Sequence, residues 1–139
     1  MRRAFALATL AAPLIALVIG GPASAETWTK VFTMDNGADI NVDSDYTYKD
    51  RQTGRIVVMQ ALSKGTIGPS APGKADSIGS VIAIDCAKSN MITLASYKPN
   101  AALDVKATWR SDTPKKMNTP DNAAIVAAVC PKADQAPVK

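Results

Sequence analysis

Apolar positions follow three different rhythms along the chain. Residues 4–19 form a nearly unbroken apolar run, interrupted only by Thr9 and Pro13. From Trp28 to Tyr97 the dominant period is two, the signature of strands with one face turned inward. Residues 28–33 are rich in β-branched and aromatic side chains and stop at Asp35-Asn36-Gly37. An Asn-Gly pair between two such runs predicts a hairpin. Its second strand covers 40–43, where Ile40 and Val42 alternate with Asn41 and Asp43. A third short strand is predicted at 46–50, then a turn at 51–54. A fourth strand at 55–62 is apolar enough to lie inside a sheet. A fifth at 77–85 delivers Cys86, and a sixth at 91–97 pairs with it across Lys88-Ser89-Asn90.

Between these strands, residues 63–76 hold Gly65, Gly68, Pro69, Pro72 and Gly73 and read as a long exposed loop. Lys98-Pro99-Asn100 ends the sixth strand. Residues 105–109 suggest an irregular edge segment, and 111–118 a polar loop. Then the period changes to that of a helix. Thr119 is placed to cap it, Pro120 fits its first position, and Asp121 suits the positive end of its dipole. Ile125 with Val129, and Val126 with Cys130, stand four apart on one face. Pro131 is expected to end the helix. The elements predict a single α+β domain at 26–131, with a flexible tail at 132–139.

The first 25 residues read as a signal peptide. Arg2 and Arg3 precede the apolar run, Gly20, Gly21 and Pro22 follow it, and Ala23-Ser24-Ala25 offers a cleavage site before Glu26. The run is shorter than the roughly 20 residues a membrane helix prefers. The mature protein is therefore expected in the periplasm or outside the cell, without a stable membrane anchor. Of 16 basic residues, loss of Arg2 and Arg3 leaves 14 against 12 acidic ones, a net charge of only +2. The one basic doublet in the mature chain, Lys115-Lys116, lies in the polar loop. This is no footprint for nucleic acid, which calls for clustered cations with stacking aromatics.

Two cysteines in an exported chain permit one intramolecular pairing, Cys86 with Cys130, which would pin the helix to the sheet. The chain has no histidine. Nucleophile–histidine catalysis is thereby excluded, along with the commonest metal ligand. No glycine-rich phosphate loop occurs, so no cofactor is expected. Asp35, Asp39, Asp43, Asp45 and Asp50 invite a calcium reading, but their spacing fits no EF-hand and suits polar turns and strand edges. A hydrolase working through paired carboxylates stays open as a lesser alternative. Among the aromatics, Trp28 and Tyr97 are assigned to the core. Tyr46 and Tyr48, two apart, share one side of a strand. Trp109 is the candidate exposed binding anchor.

Several landmarks recur together in one family. The Trp28 strand after the signal peptide, the Ile40-Asn41-Val42-Asp43 strand, the 55–62 strand, Ile84-Asp85-Cys86 and Ala127-Ala128-Val129-Cys130 together resemble the surface-adhesin protein E-like domain of Gram-negative bacteria. The similarity runs from about 28 to 130 and rests on order and spacing. It implies an antiparallel sheet of about six strands with a C-terminal helix tethered by a disulfide. It also implies binding of host matrix and plasma proteins, and a capacity to form homodimers. The family's named member is a lipoprotein, whereas this chain lacks a cysteine near the cleavage point. A periplasmic envelope or stress factor with an internal partner is therefore the alternative. No ligand-binding residue carries over.

Overall fold

The computed structural model describes residues 27–63, 78–98 and 101–139. The predicted signal peptide and nearly all of the predicted 63–76 loop lie outside the described residues. Six strands form one antiparallel sheet, β1 (Trp28–Thr33), β2 (Asp39–Lys49), β3 (Ile56–Ser63), β4 (Ile78–Asp85), β5 (Asn90–Tyr97) and β6 (Lys115–Lys116). They are ordered in space as in sequence. Helix α1 (Pro120–Val129) follows, and the Cys86–Cys130 disulfide ties its end to the end of β4. The fold is α+β, as the sequence implies.

Both faces of the sheet are covered, which explains why β3 and β4 are almost continuously apolar. Along β3, Ile56 and Val58 point to the helix side and pack with Ile82, Ile84, Ile125 and Val129. Val57, Met59 and Ala61 point the other way and pack with Val81, Ile92, Leu94, Tyr97 and Trp109. Among the described residues no α-helix covers this second face. The segment after β5 folds back over it instead, with the Lys106 amide donating to the Leu94 carbonyl at 3.0 Å.

Three departures from strict alternation shape the sheet. Val31 is an extra residue between Lys30 and Phe32, so Val31 and Phe32 both reach the helix-side core. Leu94 plays the same part in β5, and Leu94 and Ala95 are both buried on the opposite face. The largest departure lies in β2. Asp43 pairs with Met59 and Tyr48 with Val57, so residues 44–47 bulge out of the ladder. Consequently the predicted strands at 40–43 and 46–50 are one long bent strand. The sixth strand is β6, inside the region predicted as polar loop, where Lys115 and Lys116 pair with Met91 and Asn90.

The β1–β2 hairpin turns as expected. Gly37 has φ of +80°, and the Asn36 side chain accepts the Ala38 amide at 3.0 Å. Thr119 occupies the N-cap of α1, although its side chain makes no capping bond there. Pro131 ends the α-helix but not the turning of the chain, because a 3-10 segment continues over Cys130–Gln135. Proline needs no amide donor in the first turn of such a segment. The 132–139 tail also touches the sheet. Beyond Gln135 it extends beside β2, with Val138 in a parallel bridge to Lys49.

Strands β3 and β4 approach closely at Gly79. A Cβ built there would lie 1.9 Å from the Gln60 carbonyl oxygen and 2.7 Å from the Ala61 Cα. Both obstacles are backbone in the middle of the sheet, so neither can rotate away. Gly79→Ala is expected to destabilise the domain by about 2 kcal/mol through forced strand separation. Urea unfolding of the variant checks this, and an unchanged midpoint would refute it.

Candidate functional site

The sequence candidates gather at one end of the second face, but not as an exposed anchor with flanking aromatics. Trp109 opens a 3-10 turn (Trp109–Ser111) and is only 3% exposed. Its ring fills the core against residues of β3, β4 and β5. Trp109 is therefore a core residue. Its irregular, polar flanks suggested exposure because they hide that the segment folds over a sheet face. Tyr97 is buried in the core as assigned, whereas Trp28 is only partly buried and packs against it, with ring centroids 5.3 Å apart.

Arg110 follows Trp109 and is the residue the sequence reading missed. Its guanidinium stacks over the Trp109 ring at 4.7 Å. Its Nε donates to both carboxylate oxygens of Asp50 at 3.2 Å, and Nη2 closes the pair. Asp50 is 1% exposed and also accepts from the Thr53 amide at 2.9 Å and hydroxyl at 2.7 Å. The Arg110 hydrogen bonds, opposed by burial and helped by Thr53, lower the Asp50 pKa from 3.8 to about 2. In return, bonding to Asp50 raises the pKa of Arg110. This pair clamps the crossing segment to the β2–β3 turn across 60 residues of sequence.

Tyr46 and Tyr48 do share a side, at the half-buried rim of the same cluster. Their ring centroids are 6.3 Å apart, edge to face. Burial raises the pKa of both hydroxyls, with the neighbouring Tyr48 adding to the shift at Tyr46. At Tyr48, Asp50 adds to it and Arg110 opposes it. The Lys139 ammonium sits over the Tyr48 ring at 5.1 Å.

Of the other carboxylates of the calcium reading, Asp39, Asp43 and Asp45 have local partners. Asp43 is buried and accepts the amides of Thr27 at 3.0 Å and Asp45 at 2.9 Å, so it organises the β2 bulge. Asp45 takes the Thr27 hydroxyl at 2.6 Å, and Asp39 takes the Thr33 hydroxyl at 2.6 Å. Among the described residues no three histidine, cysteine, aspartate or glutamate side chains converge as a metal site.

An open cleft of about 230 Å³ lies on the helix side. Val31 and Val42 of the β1–β2 hairpin form one wall, with Ser44 and Thr47 of the bulge at its rim. Ala128, Val129 and Lys132 form the opposite wall, and Ala136 and Pro137 of the tail close one end. Along one margin runs β1, at the edge of the sheet. A mostly aliphatic slot beside an edge strand is suited to an extended chain and one or two apolar side chains. Comparison with family models, curated proteins and solved structures yields no match to this chain.

Proposed function

We infer that this is an exported, non-enzymatic protein-binding domain, with host matrix proteins as its ligand class, as the resemblance to surface-adhesin protein E-like domains implies. One observation carries the reading: the aliphatic cleft lies open beside the β1 edge, while the buried charged groups are committed to holding the fold. Asp43 shapes the bulge, and Asp50 with Arg110 clamps a crossing segment. The cleft and strand edge offer backbone hydrogen bonds and apolar burial, the two ingredients of strand-type peptide recognition.

A second reading, a periplasmic envelope or stress factor with an internal partner, is favoured by the missing lipidation cysteine. One experiment separates them. Native cells are fractionated and intact cells are shaved with protease, and the purified mature domain is then tested on a panel of immobilised matrix proteins. Surface or medium location with saturable binding is the expected result. Full protection in the periplasm refutes adhesion and transfers the binding role to an internal partner.

A further inference from the structure

The tail beside β2 makes contacts that the sequence does not foreshadow. Lys49 directs both of its backbone groups away from β3. Its amide donates to the Pro137 carbonyl at 2.8 Å, and its carbonyl accepts the Lys139 amide at 3.0 Å. The Arg51 amide then donates to the Lys139 carbonyl oxygen at 2.8 Å. This is the bonding of a short parallel strand. It occupies the flank of β2 beyond the point where β1 stops, because β1 pairs only with Asp39–Asp43. Thr27 closes the near end of that flank, where the Ser44 amide donates to its carbonyl at 3.0 Å. Between Thr27 and the tail lies the bulge, facing the cleft.

Beyond the three backbone hydrogen bonds and the Lys139 ammonium over the Tyr48 ring, little holds the tail. Val138, the residue in the bridge, is 53% exposed, so it buries little apolar surface. The nearest ion pair, Lys49 with Asp134, spans 3.9 Å to a fully exposed carboxylate and adds little. Solvent-flanked hydrogen bonds with so little side-chain burial open more readily than the sheet core.

We propose that the outer flank of β2 from Tyr46 to Arg51 is a strand-acceptor site, which residues 136–139 fill in the resting protein and a partner's extended segment fills by displacing them. The proposal deepens the protein-binding reading and rests on it. The occupant follows from what sits there now. It is an extended peptide in parallel alignment, with small or aliphatic residues where Ala136, Pro137 and Val138 lie. A longer strand would keep the three backbone bonds and add an aliphatic side chain in the cleft against Val31 and Val129. Its advantage over the tail is that added burial.

The test uses the full mature chain and a synthetic peptide carrying residues 132–139. Amide exchange of the native protein is expected to show Lys49 and Arg51 exchanging at least a hundredfold faster than the amides of β3. In the variant Lys139→Pro, which deletes one tail donor without touching the core, the peptide is expected to bind at least tenfold tighter than to the native chain. Protection of Lys49 and Arg51 equal to that of β3 would overturn the proposal without recourse to any variant. So would failure of the peptide to bind folded Lys139→Pro. Peptide binding without any affinity for matrix proteins would keep the acceptor site and remove the ligand class inferred above. Matrix binding that the peptide does not compete with would do the reverse.

Discussion

A Cys86→Ser/Cys130→Ser double variant is expected to lose about 4 kcal/mol of stability, the chain entropy that opening a loop of this length returns to the unfolded state. The cysteines are 44 apart in sequence. Their bond fastens α1 over Ile56, Val58, Ile82 and Ile84, a face that would otherwise be wet. A domain of this size has little reserve beyond such a loss. Urea unfolding of the mature protein with and without a thiol reductant gives the answer. The reduced native protein and the serine variant are expected to coincide, since the sequence contains no third cysteine. A shift below about 1 kcal/mol in both would mean that helix packing alone holds that face.

Arg110→Ala is expected to lower the unfolding midpoint clearly, because it removes the charged partner of a buried carboxylate. It strands the Asp50 carboxylate, which is 1% exposed, with only Thr53 left to bond it. Asp50→Asn is expected to cost less, because Arg110 is 36% exposed on its side chain and can turn to water. The pH dependence has a definite sign. The folded pKa of Asp50 lies near 2, below its ordinary 3.8. The stabilisation is therefore complete above about pH 4 and is lost as pH falls toward 2, by about 2 kcal/mol in total. Stability measured from pH 5 to 2 for the native protein and Asp50→Asn tests this. The native curve is expected to fall toward that of the variant as acid is added. Parallel curves would show that the carboxylate charge does not contribute.

Most of the strand order was legible because each strand carries its own period and its own punctuation. Asn36-Gly37 marks one turn, and Lys88-Ser89-Asn90 marks another, with Ser89 at φ +48°. Helix α1 announced itself through Thr119, Pro120 and the Ile125–Val129 spacing. The disulfide followed from a count of two cysteines. What stayed hidden depends on contacts between distant residues. Periodicity cannot reveal a bulge stabilised by a buried side chain, so Asp43 read as a polar edge residue and β2 as two strands. Trp109 looked exposed because its neighbours are polar, and only the sheet face beneath it makes it core. Arg110 and Asp50 are individually ordinary. The tail has no periodicity, since a strand of three hydrogen bonds needs none.

The meander itself bears on how the domain is made. Each strand from β2 to β6 pairs with the one just before it in the chain. No strand must thread between two already joined, and each closure joins neighbours in the chain, the longest connections being those before β4 and before β6. The sheet is thus able to grow like a zip from its N-terminal edge while later residues are still emerging from a ribosome or a pore. Helix α1 and the tail come last, and both lie against strands already in place. A stalled or truncated chain would therefore hold a partly ordered sheet whose aliphatic helix-side face is bare. Such a product is expected to aggregate or be degraded, so residues 120–139 decide whether the sheet survives.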